Sequence, residues 1–198
     1  MRPRLVLASS SPRRRELLAR LGIAFDVVPA GVDETPLPNE PAWACATRLA
    51  RAKALEVSGR LPDVLALGAD TVVALDGRLF NKPADAAEAC RMLGELSGRT
   101  HEVWTGVCLA ASGRVRALFA VTSWVRFRRL SREDIERYVA TGEPLDKAGA
   151  YAAQGCGREL IERIEGSVSN VIGLPVEELR VRLARHLPEG RATQVEGQ

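Results

Sequence analysis

Four charged residues set what chemistry this chain could do: Glu34, Lys53, Asp70 and Lys82. Two carboxylates and two ammonium groups suit a metal-assisted attack on a polyphosphate. The carboxylates hold a divalent ion and activate water, and the cations neutralise phosphate oxygens. Taken singly, Glu34, Lys53 and Lys82 read as solvated charges. Asp70 reads differently, because it ends the apolar run VLALGA at 64–69. A carboxylate there needs a partner, and ligand sites in α/β sheets gather at the carboxyl ends of strands. Its plainer reading is a cap or turn residue. The lysine count adds weight: there are three lysines, Lys53, Lys82 and Lys147, against 25 arginines. An ammonium is not interchangeable with a guanidinium, so positions that keep lysine in such a chain are candidates for a specific role.

Two further segments could meet a ligand. Ser9-Ser10-Ser11-Pro12 leads into RRRELLARLG, with Ser11 placed as an N-cap and Pro12 at the first helical position. A helix start offers free backbone N–H groups to an anion. Ser9, Arg13 and Arg14 would complete a phosphate cradle; the alternative is an ordinary capped helix with solvated arginines. The segment is neither a Walker A loop nor a dinucleotide fingerprint. The second segment, DKAGAYAAQG at 146–155, is rich in glycine and alanine, which let a backbone approach a ligand closely. Its Gln154 amide could read a base edge, or be a solvated amide on a flexible loop. A Ser-His-Asp triad can be drawn with His101, but nothing in the sequence orients it.

These residues sit on alternating elements. RLVLA at 4–8 predicts a buried strand and the arginine segment a helix stopping at Gly22. FDVVPAGVDE predicts a strand running into a loop. A helix follows over 41–57, with Trp43, Ala46, Ala50, Ala54 and Val57 as its apolar stripe and Lys53 on or beside it. A lysine so placed either snorkels to water, the commoner case, or reaches a polar pocket. The strand at 64–69 stops at Asp70, and TVVAL and RLF form a hairpin about Asp76-Gly77. A helix runs from an Asp85 cap to Gly98. Two long strands meet at Ser112-Gly113, and Ser131 with Asp134 has capping-box spacing. A strand at ELIERIEG and a helix entered through Pro175 complete the pattern. The class is α/β: a mixed, bent sheet flanked by helices.

Composition bounds the rest. At 198 residues, 46% apolar and 27% charged, the chain is a globular domain large enough for its own core. One domain is expected over 1–187, with a polar tail at 188–198 that frays. No apolar run approaches a membrane helix, and the basic start is too short for a secretory signal, so a cytoplasmic protein is expected. Cys45, Cys90, Cys108 and Cys156 show no zinc spacing and read as free thiols. The net charge of +3 is concentrated near the start, which gives no broad footprint for nucleic acid.

LASSSPRRRELL at 7–18, GADTVV at 68–73, NKP at 81–83, LSGRTHEVWTGV at 96–107, LDKAGAYAAQG at 145–155 and SVSNVIGLP at 167–175 closely resemble the Maf family, in its motif order. The resemblance implies a fold akin to the ITP pyrophosphatases. It also implies hydrolysis of a nucleoside triphosphate to monophosphate and pyrophosphate with a divalent metal, Mg or Mn. A homodimer is usual in the family. One branch acts on dTTP and UTP, another on 7-methyl-GTP. Asp70-Thr71 and Gln154 resemble the first; the second shows a Glu-Gly where this chain has Gln154-Gly155. By motif position, Asp70 matches the proton acceptor, and Arg13, Thr71 and Gln154 match base-selecting positions. Glu34, Lys53 and Lys82 match charged active-site positions. Glu34 and Asp70 are the candidate metal ligands, and Asp70 stays open between base and ligand. A 7-methyl-GTP pyrophosphatase, or a nucleotide-binding regulator of cell division, remains the alternative.

Overall fold

The computed structural model describes residues 3–61 and 63–187; the tail expected at 188–198 lies outside them. Seven strands of these described residues form one mixed sheet: β1 (Arg4–Leu7), β2 (Phe25–Val27), β3 (Val64–Leu75), β4 (Arg78–Phe80), β5 (Thr100–Ala111), β6 (Arg114–Phe127) and β7 (Ile161–Glu165). Their order is β2-β1-β3-β5-β6-β7, with β4 added to β3. β1 is parallel to β2 and β3, and the remaining pairs are antiparallel. The α/β expectation holds. Both predicted hairpins form: Asp76-Gly77 and Ser112-Gly113 each carry two successive positive φ values, as a type I′ turn requires.

Among the described residues six helices accompany the sheet: α1 (Pro12–Ala19), α2 (Ala42–Arg60), α3 (Ala86–Leu96), α4 (Arg132–Val139), α5 (Val168–Ile172) and α6 (Val176–His186). The predicted caps are made: Ser11 accepts from Arg14 N, Asp85 from Glu88 N, and Ser131 with Asp134 closes a capping box. The Gly/Ala-rich segment winds through three short 3₁₀ turns between 143 and 160. α5 had no counterpart among the predicted elements. Among the described residues no helix is long and apolar enough to cross a membrane.

The two faces of β3 pack differently. Leu65, Leu67 and Ala69 join Leu17 and Leu18 of α1 and Leu179 and Leu183 of α6. The alternate residues face α2, which lies unusually close. A Cβ on Gly68 would fall 2.2 Å from Ala50 O, and one on Gly106 would fall 2.3 Å from Ala46 O. Glycine on the sheet and alanine on the helix thus set the helix–sheet distance. The predicted stripe of α2 is correct at Ala46, Ala50, Ala54 and Val57, but Trp43 is exposed. The buried arc runs instead through Ala42, Cys45 and Leu49, leaving Trp43 on its flank.

One element differs from expectation in a way that matters. Asp70 does not end a strand: it is the seventh residue of the twelve-residue β3, Val64–Leu75. Continuous pairing with β5, from Ala66↔Ala110 to Ala74↔Glu102, carries the strand past the aspartate.

Candidate active site

The site is a gap in the sheet. On one edge β3 pairs with β5 from Ala66 to Ala74. On the other it pairs with β1 as far as Leu67 and with β4 from Val73. No strand of the described residues covers that edge at 68–72. β1 and β4 diverge there into the serine loop and the Asn81-Lys82-Pro83 segment. The opening is a cleft of ≈ 720 Å³, lined by Ser9, Arg13, Arg14, Glu34, Lys53, Asp70, Thr71, Lys82 and Gln154. All nine sequence-predicted site residues therefore meet in one place, and Lys147 lines it as well. The volume is that of a small-molecule site, typically about 300–1,000 Å³.

Strand geometry points consecutive side chains to opposite faces. Asp70 therefore turns toward α2 and Thr71 toward α1, and the missing neighbour strand lets both reach the cleft. On the α2 side, Lys53 is buried, and its Nζ lies 2.6 Å from Asp70 Oδ1 and 2.6 Å from Glu34 Oε1. Lys53 reaches the polar pocket rather than water. Glu34 is half-exposed. Burial works to raise its pKa, but the hydrogen bond and charge of Lys53, with Lys82 and Arg14, outweigh that and hold it low. Its loop is fixed from both sides. Asp33 accepts from Thr35 N and Oγ1. Arg48 grips Glu40 through Nε and Nη2, each at 2.7 Å, and donates to Thr35 O.

On the other face, Arg14 Nε donates to Gly173 O at 2.9 Å, Nη2 to Thr71 Oγ1 and Nη1 to Ser9 Oγ. Burial lowers the Arg14 pKa, opposed by the charges of Asp70 and Glu34. Thr105 is fully buried and donates to Asn170 O at 2.9 Å. A carbonyl only accepts, so the 3.0 Å contact between Thr71 and Thr105 has Thr71 as donor. Arg14 thus holds Ser9 and Thr71 in place. Asn170 is locked by its Nδ2 on Val103 O and Ser123 Oγ. Thr105 and Asn170 were not singled out from the sequence, since neither is charged and their partners lie far along the chain. Lys82 is exposed at the mouth of the cleft. His101 belongs to the core: its Nε2 meets Tyr151 OH at 2.9 Å, between the rings of Phe127 and Tyr151.

Glu34 and Asp70 are the carboxylates that converge. Among the described residues no group of three or more His, Cys, Asp or Glu is arranged to hold a metal ion. The two-carboxylate donor set fits a magnesium-type ion, which commonly takes one or two carboxylates plus substrate phosphates.

The chain is 52% identical over 188 residues to the dTTP/UTP pyrophosphatase of Anaeromyxobacter dehalogenans, covering 93% of this chain and 95% of that one. It is 55% identical over 181 residues to the dTTP/UTP pyrophosphatase of Myxococcus xanthus, covering 91% of each. Among solved structures, a HAM1 protein from Coxiella burnetii matches with a TM-score of 0.50 and 20% identity, over 92% of this chain and 99% of that one. That likeness is one of fold. Residues 4–186 match the family model described as Maf-like protein, and the chain belongs to the Maf family.

Proposed function

We propose that this protein is a nucleoside triphosphate pyrophosphatase acting on dTTP and UTP, releasing the monophosphate and pyrophosphate. One observation carries the reading: Lys53, clamped between Glu34 and Asp70, shares a cleft with the serine loop and Gln154. The charges suit a triphosphate, the amide suits a base, and the relatives above carry that activity in their names.

In this reading water attacks the α-phosphorus. A new P–O bond forms, the bond to the bridging oxygen breaks, and its electron pair leaves with pyrophosphate. Asp70 takes the proton of the water, or fixes the ion beside it. Lys53 orients both carboxylates and keeps their charge in place. Ser9 Oγ accepts from Ser11 N and Arg14 Nη1, so its proton remains for a phosphate oxygen. Arg13 and Lys82 bear phosphate charge at the mouth, with the start of α1 behind them. Thr71 and Gln154 contact the base; Thr71, whose proton is spent on Thr105, offers only a lone pair. Glu34 and Asp70 would hold Mg or Mn together with the triphosphate. Such an ion supplies phosphate charge neutralisation and a more acidic water. A soluble nucleotide substrate makes the cytoplasm the expected compartment.

The test is pyrophosphate release from dTTP, UTP, CTP, ITP, GTP and 7-methyl-GTP with magnesium or manganese. Fast release from dTTP and UTP is expected, reduced at least about 100-fold in Asp70→Asn without loss of fold. Preference for 7-methyl-GTP would overturn the roles of Thr71 and Gln154. Near-wild-type turnover in Asp70→Asn would overturn the role of Asp70.

A further inference from the structure

Gln154 is carried by a segment with little regular structure, and a reader of base edges works only if it is held still. The ties of that segment are specific. Gly149 N donates to Asn81 O at 3.2 Å. Ala152 N donates to Tyr138 Oη at 3.1 Å, and the same hydroxyl donates to Glu143 Oε1 at 2.9 Å. Beyond Gln154, Cys156 N donates to Glu143 Oε2 at 3.2 Å and Gly157 N to Glu143 Oε1 at 3.0 Å. One carboxylate and one phenol thus grip the chain on both sides of a three-residue tip, Ala153, Gln154 and Gly155. Gly155 has φ +66°, and a Cβ there would fall 2.5 Å from Glu143 Oε2, so the tip closes directly onto the carboxylate.

Neither Tyr138 nor Glu143 lines the cleft. Both come from the end of α4 and the turn after it, an element otherwise remote from the carboxylates. Tyr138 is buried and belongs to the same core cluster as Val139 and Leu160. Glu143 is half-buried and accepts three hydrogen bonds, from two backbone amides and the phenol. A carboxylate suits this place because all three neighbours donate. A glutamine of the same shape would set its NH₂ against one of them and release that grip.

We propose that Glu143 and Tyr138 are positioning residues for substrate selection: together they hold the 153–155 tip so that the Gln154 amide meets the base at a fixed place. The proposal rests on the base-contact role of Gln154 given above. It assigns nucleotide selectivity to a clamp that never touches the nucleotide.

The experiment compares wild type, Glu143→Gln, Tyr138→Phe, Gln154→Ala and the Glu143→Gln/Gln154→Ala double variant. Each is assayed on the same nucleotide panel, with thermal midpoints as the measure of folding. For whichever nucleotide the wild type prefers, Glu143→Gln raises KM roughly tenfold, lowers kcat by less, and narrows the preference over the other nucleotides. In the Gln154→Ala background the same change adds little, because the reader is already gone. Tyr138→Phe acts in the same direction. Amide hydrogen exchange, which needs no turnover, speeds up over 152–157 in Glu143→Gln and stays unchanged over 64–75. A wild type that prefers another nucleotide overturns the dTTP/UTP reading but leaves the clamp testable on that nucleotide. The clamp is overturned by unchanged selectivity in folded Glu143→Gln. It is equally overturned by a fall shared by every nucleotide, by full additivity with Gln154→Ala, or by unchanged exchange over 152–157.

Discussion

Lys53 is the residue on which the carboxylates depend, because its Nζ is shared between Asp70 and Glu34 at equal distances. Removing one partner of a buried pair leaves the other charge uncompensated. Lys53→Met should therefore leave the two carboxylates facing each other without their shared cation, with turnover at neutral pH falling about 100-fold. Turnover near wild type in folded Lys53→Met would mean that the ammonium does not hold the carboxylates for the reaction. At this scale the sequence was legible where residue type is informative. Three lysines among 25 arginines, an aspartate beside an apolar run and a glutamine in a glycine-rich loop all line the cleft. Thr105, Asn170, Tyr138 and Glu143 were not legible, because their work is defined by partners on other elements. A threonine in a strand or a glutamate after a helix has the composition of countless surface and core residues.

At the scale of elements, the contact between α2 and the sheet fixes where Lys53 stands. Gly68→Ala would place its Cβ 2.2 Å from Ala50 O and 2.7 Å from Ala54 N, both backbone atoms. The helix has to move, and the cost is about 3 kcal/mol, read as a drop in the midpoint of denaturant unfolding. Lys53 moves with the helix, so turnover measured well below the new midpoint should fall too. Full activity with lowered stability would uncouple α2 from the site. The elements themselves were mostly readable, through caps, type I′ turn pairs and apolar runs. The reading failed at Asp70, where a charged residue with poor strand propensity looked like a stop. Pairing with β5 on one side and the ion pair with Lys53 on the other overrode that local preference. α5 was missed because five residues carry too short a period to be seen.

For the whole molecule, stability should be lost in two stages as pH falls. His101 is buried, and burial lowers its pKa from 6.5 to about 4, so the folded state holds it neutral. The unfolded chain binds that proton first. The contribution of His101 is thus present above about pH 6.5 and lost progressively toward pH 4, amounting to roughly 3 kcal/mol. Glu40 follows: its hydrogen bonds with Arg48 outweigh burial and lower its pKa from 4.5 to about 2, so its share is lost below pH 4.5. Urea midpoints measured from pH 7.5 to 3 should fall first between pH 6.5 and 4. In His101→Asn that first stage should be absent; a first stage unchanged in this variant would assign it to other groups.

The gap in the sheet has one more consequence, for how such a protein diversifies. Asp70 and Thr71 are neighbours in the chain, yet strand geometry sends them to opposite faces of β3. The carboxylate answers to α2, while the threonine answers to α1 and the segment around Asn170. On the proposed roles of Thr71 and Gln154, a substitution at Thr71 or in the 153–155 tip would change which nucleotide is welcome without disturbing the carboxylate pair. A lineage built on this scaffold is free to explore new substrates by single steps on one face while the other keeps an inherited reaction intact.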